Sequence, residues 1–476
     1  MRLQWERHVV KRIRNENQLC HWGILASAML AATLASGVAV GQSYDSTLNA
    51  RLEALETELA EMRSASEKQP LASEARFAQP VSPAVFCPSG GRQPASNRWP
   101  TVQVGGFFQV DSAWFDQDAT NIATVGDVQN GADFRRARLN AHGDVWENVG
   151  YMMEFDFAFP GRPNFMDVYF DVRNTPVGTL RVGQWRHPIG MDGQTSVKEL
   201  TFLERALPFA FLPFRQIGFG AFNHSEDESL TWAVSGFRFP TDTFGGNVGD
   251  NGGYGLAGRV TFAPWLSEDG SRLVHLGAAY SFADPANDRV RYRSQPELFI
   301  SETGGADLVP AGVPSNVPPF VDTGAISANN FNLFSAEGAL VLGSLYMQSE
   351  TIYAVVNQIG GPTVSFSGAY FYAGYFLTGE VRPYNRKGGV FGRVKPLHNF
   401  GSSGGGAWEL AGRWSYIDLN DDNITGGRMN DLTAGLNWYL NPRTKFQFNY
   451  IHAFLDNPTF GDSDANLFAV RGQIDF

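Results

Sequence analysis

From about Val102 to Phe476, apolar and polar residues alternate in short runs, the period of two that a strand with unlike faces requires. Between Tyr151 and Phe159 the pattern is plain. Tyr151, Met153, Phe155, Phe157 and Phe159 share one face, and Glu154 and Asp156 lie on the other. Strands are predicted over 107–115, 134–146, 151–159, 165–173, 179–186, 216–223, 229–239, 254–263, 273–283, 331–342, 345–356, 364–380, 407–419, 429–440, 444–454 and 466–476. Aromatic rows on one face and carboxylates on the other do not suit a soluble sandwich. They suit a barrel whose outside meets lipid and whose inside meets water. The strands number about sixteen, an even count as such single-chain barrels require. The expected fold is therefore all-β, a roughly 16-stranded antiparallel transmembrane β-barrel over residues 101–476. Short connections at Glu147–Gly150, Asn174–Gly178 and 441–443 largely alternate with long ones at 187–215, 240–253, 284–330 and 455–465. Segment 381–406 breaks that rule: parity puts it at the short-turn, periplasmic end although it is long, and the sequence assigns it no role.

Ahead of the strands the pattern differs. Residues 1–41 combine a basic start (Arg2, Arg7, Lys11, Arg12, Arg14), an apolar run from Trp22 to Val40 and the small-x-small Ala39-Val40-Gly41, as a secretory signal peptide does. Within 42–68, Leu48, Leu52, Leu55, Leu59 and Met62 form one apolar seam with charges between them, which predicts a periplasmic coiled-coil segment and self-association. Residues 69–100, rich in Pro and Ser, read as a linker. Removal of the signal removes Cys20, so Cys87 is left without an intrachain partner.

Composition narrows the function. The chain has 52 Gly in 476 residues, 13% aromatics and only 18% charged residues, a mixture in which alternation hides a membrane signal. A net charge of -11 argues against nucleic acid as a partner. His187, His224, His275, His398 and His452 fall singly, and no Cys or His pair has metal-ligand spacing. No catalytic residue, metal or cofactor is predicted. In the last run Phe468, Val470, Gly472, Ile474 and Phe476 alternate with Ala469, Arg471, Gln473 and Asp475, and a terminal aromatic on such a strand, Phe476, suits the barrel insertion machinery of the outer membrane.

Three segments resemble the phosphate-selective porin O and P family. They are Phe134-Arg135-Arg136-Ala137-Arg138-Leu139 with the 151–158 strand, then Leu180-Arg181-Val182-Gly183-Gln184 continuing to Glu204-Arg205, and last Leu436-Asn437-Trp438-Tyr439-Leu440-Asn441-Pro442 with Asn449-Tyr450 and the final strand. The resemblance implies a sixteen-stranded trimeric barrel in the bacterial outer membrane with an inward-folded third loop, passing small anions such as phosphate or polyphosphate. The chain departs from the family's basic path by carrying Asp192, Glu199 and Glu204 in that loop.

Alternation then says which arginines face inward. If Ala137, Leu139 and Ala141 face lipid, Arg136 and Arg138 face the lumen. The same logic puts Arg173, Arg181, Arg259, Arg413 and Arg471 inside, because an arginine on the lipid face near the midplane costs roughly 2–4 kcal/mol. These seven are expected to line the anion path, unless inward Glu154, Asp156 or Asp171 pair with them and turn them into braces. Loop 187–215 is expected to be the constriction, with Thr195, Ser196, Lys198 and Arg205 on it, because Phe202, Leu203, Leu207, Phe209, Phe211, Leu212 and Phe214 need cover. A non-specific porin, or a tether that holds the cell wall through the coiled coil, remains as an alternative.

Overall fold

The computed structural model describes residues 99–158, 163–241, 253–300, 317–401 and 404–476. The expected signal peptide, coiled coil, most of the linker and Cys87 lie outside the described residues.

Alternating side chains and tight turns produce a closed wall. Its strands are β1 (Gln103–Gln117), β2 (Gly131–Trp146), β3 (Val149–Asp156), β4 (Asn164–Thr175), β5 (Gly178–Arg186), β6 (Arg215–His224), β7 (Leu230–Arg238) and β8 (Tyr254–Leu266). They continue with β9 (Arg272–Asp284), β10 (Ile326–Leu342), β11 (Leu345–Gln358), β12 (Thr363–Phe376), β13 (Ala407–Asp421), β14 (Ile424–Asn441), β15 (Thr444–Asn457) and β16 (Gly461–Asp475). Each pairs antiparallel with the next, and β16 returns to β1 with Asp475 opposite Phe107 and Ala465 opposite Gln117. The sheet counts 17 strands because the two-residue strand Arg289–Val290 adds to the edge of β10; without it the wall has 17 − 1 = 16. Closure leaves no open edge, which is what a sheet in lipid needs.

The predicted runs coincide with these strands, with shifts at the ends. β3 stops at Asp156 rather than residue 159, because the Asp156 carboxylate accepts from the amides of Ala137 and Ala158 (3.1 Å each) and turns the chain. β12 stops at Phe376 rather than residue 380, where Gly379 (φ 97°) starts a turn into the barrel.

Connections 147–148, 176–177, 225–229, 267–271, 343–344 and 442–443 lie at one end, with 377–406 as the long exception. The connections at the other end include the third, 187–214 (L3), and the fifth, 285–325 (L5). By the rule of short periplasmic turns the first end is periplasmic; 377–406 is its sixth connection, T6.

The outer face carries exposed Phe108, Leu139, Phe170, Phe219, Val234, Leu256, Leu276, Phe334, Tyr353, Leu410, Leu432 and Phe468. The inner face departs from the expectation of a wet, polar lumen. In β10, Phe331 and Leu333 point inward and are buried, and Ile417, Ile451, Leu455 and Leu467 do the same on β13, β15 and β16. They are covered by L3 (Leu203, Leu207, Phe211) and by the described part of L5 (Tyr292, Leu298, Phe320). Toward the periplasmic end a second cluster joins Met191 and Phe202 of L3 to Tyr346, Tyr372 and Tyr439 of the wall and to Val390, Phe391 and Val394 of T6. The core of this protein therefore lies inside the barrel. L5 covers one end, L3 crosses the middle and T6 fills part of the other end.

Candidate functional site

L3 has little regular structure: a turn of helix at Met191–Gln194 and 3-10 turns at Val197–Glu199 and Leu207–Phe211. Its backbone carbonyls must find donors, and inward polar side chains of the wall supply them. Leu200 O accepts from Lys445 Nζ (3.0 Å) and Gln447 Nε2 (3.2 Å), Thr201 O from Asn437 Nδ2 (2.7 Å) and Glu204 O from Arg413 Nη1 (2.9 Å). Arg471 donates to Leu203 O. The inward face of β13–β16 thus holds a loop.

Glu204 is the centre of this attachment. Its carboxylate accepts from Arg135 Nε (2.9 Å), Arg136 Nη2 (2.8 Å) and Arg471 Nη2 (2.8 Å), and Arg471 is also held by Asp111 (2.6 Å). Arg413 pairs with Glu297 of L5, whose Oε1 accepts from the Leu207 amide (3.2 Å). Arg138 holds Asp156 (2.7 Å) and Glu154 (3.2 Å), Arg181 holds Asp171 (2.7 Å), Arg215 holds Asp167 (2.9 Å), and Arg173 holds Asp144. Of the seven arginines singled out by alternation, Arg136, Arg138, Arg259, Arg413 and Arg471 are buried, Arg181 is half-buried on Asp171, and the Arg173 side chain is 41% exposed beside Asp144. Facing inward is not the same as facing water, and alternation reports only the first.

The loop residues divide in the same way. Thr195 is buried, with Oγ1 donating to Met191 O (2.8 Å), and Ser196 caps the Lys198 amide. Lys198 is half-buried, 3.9 Å from Asp475. Arg205 is buried, donates to Asp192 O (2.8 Å) and Thr195 O (2.7 Å), and packs over the Phe209 and Phe214 rings. It organises the loop from within.

T6 is pinned on several sides. Arg259 Nη2 meets both Glu337 Oε1 (2.5 Å) and Gly389 O (2.7 Å), and its Nη1 donates to Gly388 O (3.1 Å). His275 bridges Glu337 (3.0 Å) and the Tyr384 hydroxyl (2.7 Å). Arg382 donates to Glu199 O, and Arg393 joins Glu199 (3.1 Å) to Asp475 (2.6 Å). Lys387 reaches Glu228 of the 225–229 turn at 3.4 Å.

What these fillings leave open is a cavity of about 260 Å³ along β4–β8, bounded by Arg186 and Gln194 at L3, by Asp167, Tyr169, Arg181 and Arg259 on the wall, and by Lys387 and Gly388 of T6. Arg181 is clamped there: bidentate on Asp171, with its guanidinium 3.6 Å over the Tyr169 ring and 4.9 Å over Phe222. Arg186 differs. It donates to Thr195 O (2.8 Å) and Gly193 O (3.4 Å) and, among the described residues, makes no ion pair. The expected lumen arginines do not include Arg186, because at the strand end alternation no longer decides direction. Lys387 is missed because T6 has no periodic pattern.

Backbone geometry supports the loop's path. Gly190 sits at φ 69°, and a Cβ there would strike the Glu350 carboxylate. Gly190→Ala is expected to destabilise the folded barrel by more than about 1 kcal/mol, measured by thermal unfolding in detergent. Gly338→Ala, whose Cβ would have no neighbour nearer than 3.7 Å, should be near neutral.

Three comparisons bear on this architecture. A family model described as phosphate-selective porin O and P matches residues 102–476. Porin O of Pseudomonas aeruginosa is 27% identical over 403 residues, covering 79% of this chain and 88% of the relative. An uncharacterized protein of Caulobacter vibrioides is 30% identical over 370 residues, 73% of this chain and 68% of the relative. Among solved structures, the anion-selective porin from Comamonas acidovorans aligns with a TM-score of 0.48 at 12% identity, covering 79% of this chain and 99% of that one.

Proposed function

The chain belongs to the phosphate-selective porin O and P family of outer-membrane porins, and on that premise we propose that its lumen passes small anions, phosphate or polyphosphate among them, past Arg186 and Lys387. The observation that carries this reading is the state of Arg186. A planar guanidinium beside open space, with carbonyl oxygens as its partners, keeps its charge for a passing oxyanion. Arg181, Arg259 and Lys387 add donors along the way but are each paired with a carboxylate. Arg136, Arg138, Arg173, Arg413 and Arg471 act mainly on the potential and on the position of L3, with Thr195, Ser196, Lys198 and Arg205 shaping the constriction. Weak contacts at several places suit conduction, since an ion held tightly would not leave. We also read the protein as a homotrimer, exported by its signal peptide and handed to the insertion machinery through Phe476. The Phe476 backbone closes the barrel against Gly106, donating at 3.0 Å and accepting at 3.1 Å.

Single-channel recording in planar bilayers tests the reading. Chloride currents from the native chain are expected to be anion-selective and blocked by added phosphate. Arg186→Ala should weaken that block about tenfold, the loss of one charge-assisted contact. Block without change in the variant would remove Arg186 from the path. Open channels with no anion preference would make this a non-specific porin, and folded protein without current would favour the tether.

A further inference from the structure

The inward face of β14 holds a carboxylate that the pore does not use. Asp431 stands opposite Ser415 on β13 and Ala453 on β15 and is fully buried. Met429, two residues earlier on the same face, is buried as well. Among the described residues, no donor reaches either oxygen of Asp431. A carboxylate taken out of water without a partner keeps the whole cost of desolvation, so buried charges are paired or coordinate a metal ion. Elsewhere in the lumen that rule is kept: Asp111 has Arg471, and Asp156 has Arg138.

The group that reaches this patch from L5 is a second carboxylate. Glu297 accepts through Oε2 from Thr433 Oγ1 (3.2 Å) and from Arg413, and through Oε1 from the Leu207 amide of L3 (3.2 Å). Ser415 Oγ accepts from the same amide (2.9 Å) and stands beside Glu297. Arg413 lies opposite Thr433, and Ser415 opposite Asp431, so the four make a square on the wall. Opposed side chains of such a pair have Cβ atoms about 4.5–5.5 Å apart. The charges that act on Asp431 are those of Glu297 and Arg413. One guanidinium, already bound to Glu297, cannot balance two carboxylates, and one negative charge is left over. Two carboxylates and two hydroxyls are hard oxygen donors, the kind that a small hard cation takes. The unbalanced charge calls for a cation of single charge.

We propose that Asp431, Glu297, Ser415 and Thr433 form a site for a small monovalent cation, sodium, which ties L5 to the wall at β13 and β14. Through the Leu207 amide the same site also fastens L3. The test is the melting temperature of the full-length protein in detergent at constant chloride, with sodium replaced stepwise by N-methylglucamine, a cation too large for the site. The native melting point should rise with sodium and saturate. Asp431→Asn keeps the shape and removes the charge. Its melting point should ignore sodium and equal or exceed that of the sodium-free native protein, because the unbalanced charge is gone. Thr433→Val removes one oxygen donor and should raise the sodium midpoint about tenfold, which decides the matter even where Asp431→Asn does not fold. A native melting point indifferent to sodium would overturn the proposal and leave a proton between the two carboxylates. Stabilisation by calcium with none by sodium would overturn the single-charge assignment. A variant with the native sodium midpoint would place the ion elsewhere and overturn it too.

Discussion

Glu204→Gln is expected to loosen the constriction and raise anion preference together. The native carboxylate accepts from Arg135, Arg136 and Arg471 and is itself buried, so it is the point at which β2 and β16 grip L3. Removing one partner of a buried ion pair costs roughly 3–5 kcal/mol, because the remaining charge keeps its desolvation penalty and loses its attraction. Asp111 would still hold Arg471, so the loss of the carboxylate charge falls on Arg135 and Arg136, the latter keeping neutral acceptors such as the Gln109 side chain (2.8 Å). The measurements are the melting temperature of the folded barrel in detergent and the reversal potential in a chloride gradient. A lower melting point with a shift toward anions is expected. Unchanged values of both would show that L3 is held by its carbonyl contacts and the apolar cluster alone.

The wall was legible in the sequence because lipid imposes one period on it. Every predicted run is a strand, and the register that puts Leu139 outside puts Arg136 and Arg138 inside. The interior was less legible, for two physical reasons. First, the same inward position serves water in one sector and a folded loop in another. Alternation cannot separate Arg181, beside the open passage, from Arg471, buried against Leu203 and Glu204. Second, loops that fold back carry no period. The apolar residues of 202–214 announced a need for cover, and L3 indeed packs on the wall through Phe202, Leu207 and Phe211. T6 offered only scattered apolar residues at Val390, Phe391 and Val394, and its charged residues find partners far away in sequence, such as Glu199 and Glu228. Such partners become visible only once the barrel has closed.

T6 gives the second large effect. Replacing residues 379–405 by a two-glycine turn should raise unit conductance severalfold. Phe391 packs with its ring 5.6 Å from that of Tyr346, and the Arg382 guanidinium lies 5.3 and 5.4 Å from these two rings, so this segment fills part of the periplasmic end of the lumen with side chains. Its removal clears that space and takes Lys387 from the passage, so anion preference should fall as current rises. The wall should survive, since Phe376 and Glu409 remain in register and the β12–β13 pair resembles its short-turned neighbours. Some stability should be lost, because Glu199 and Glu337 each lose a T6 contact, Arg393 in one case and the Tyr384–His275 bridge in the other. Recording the deletion beside Glu204→Gln separates the two throttles. If L3 alone limits flow, the deletion leaves conductance at the native value and only the Glu204 variant changes it. If T6 limits flow as its packing indicates, conductance rises in the deletion even where L3 is intact, and phosphate block at Arg186 persists in the wider pore.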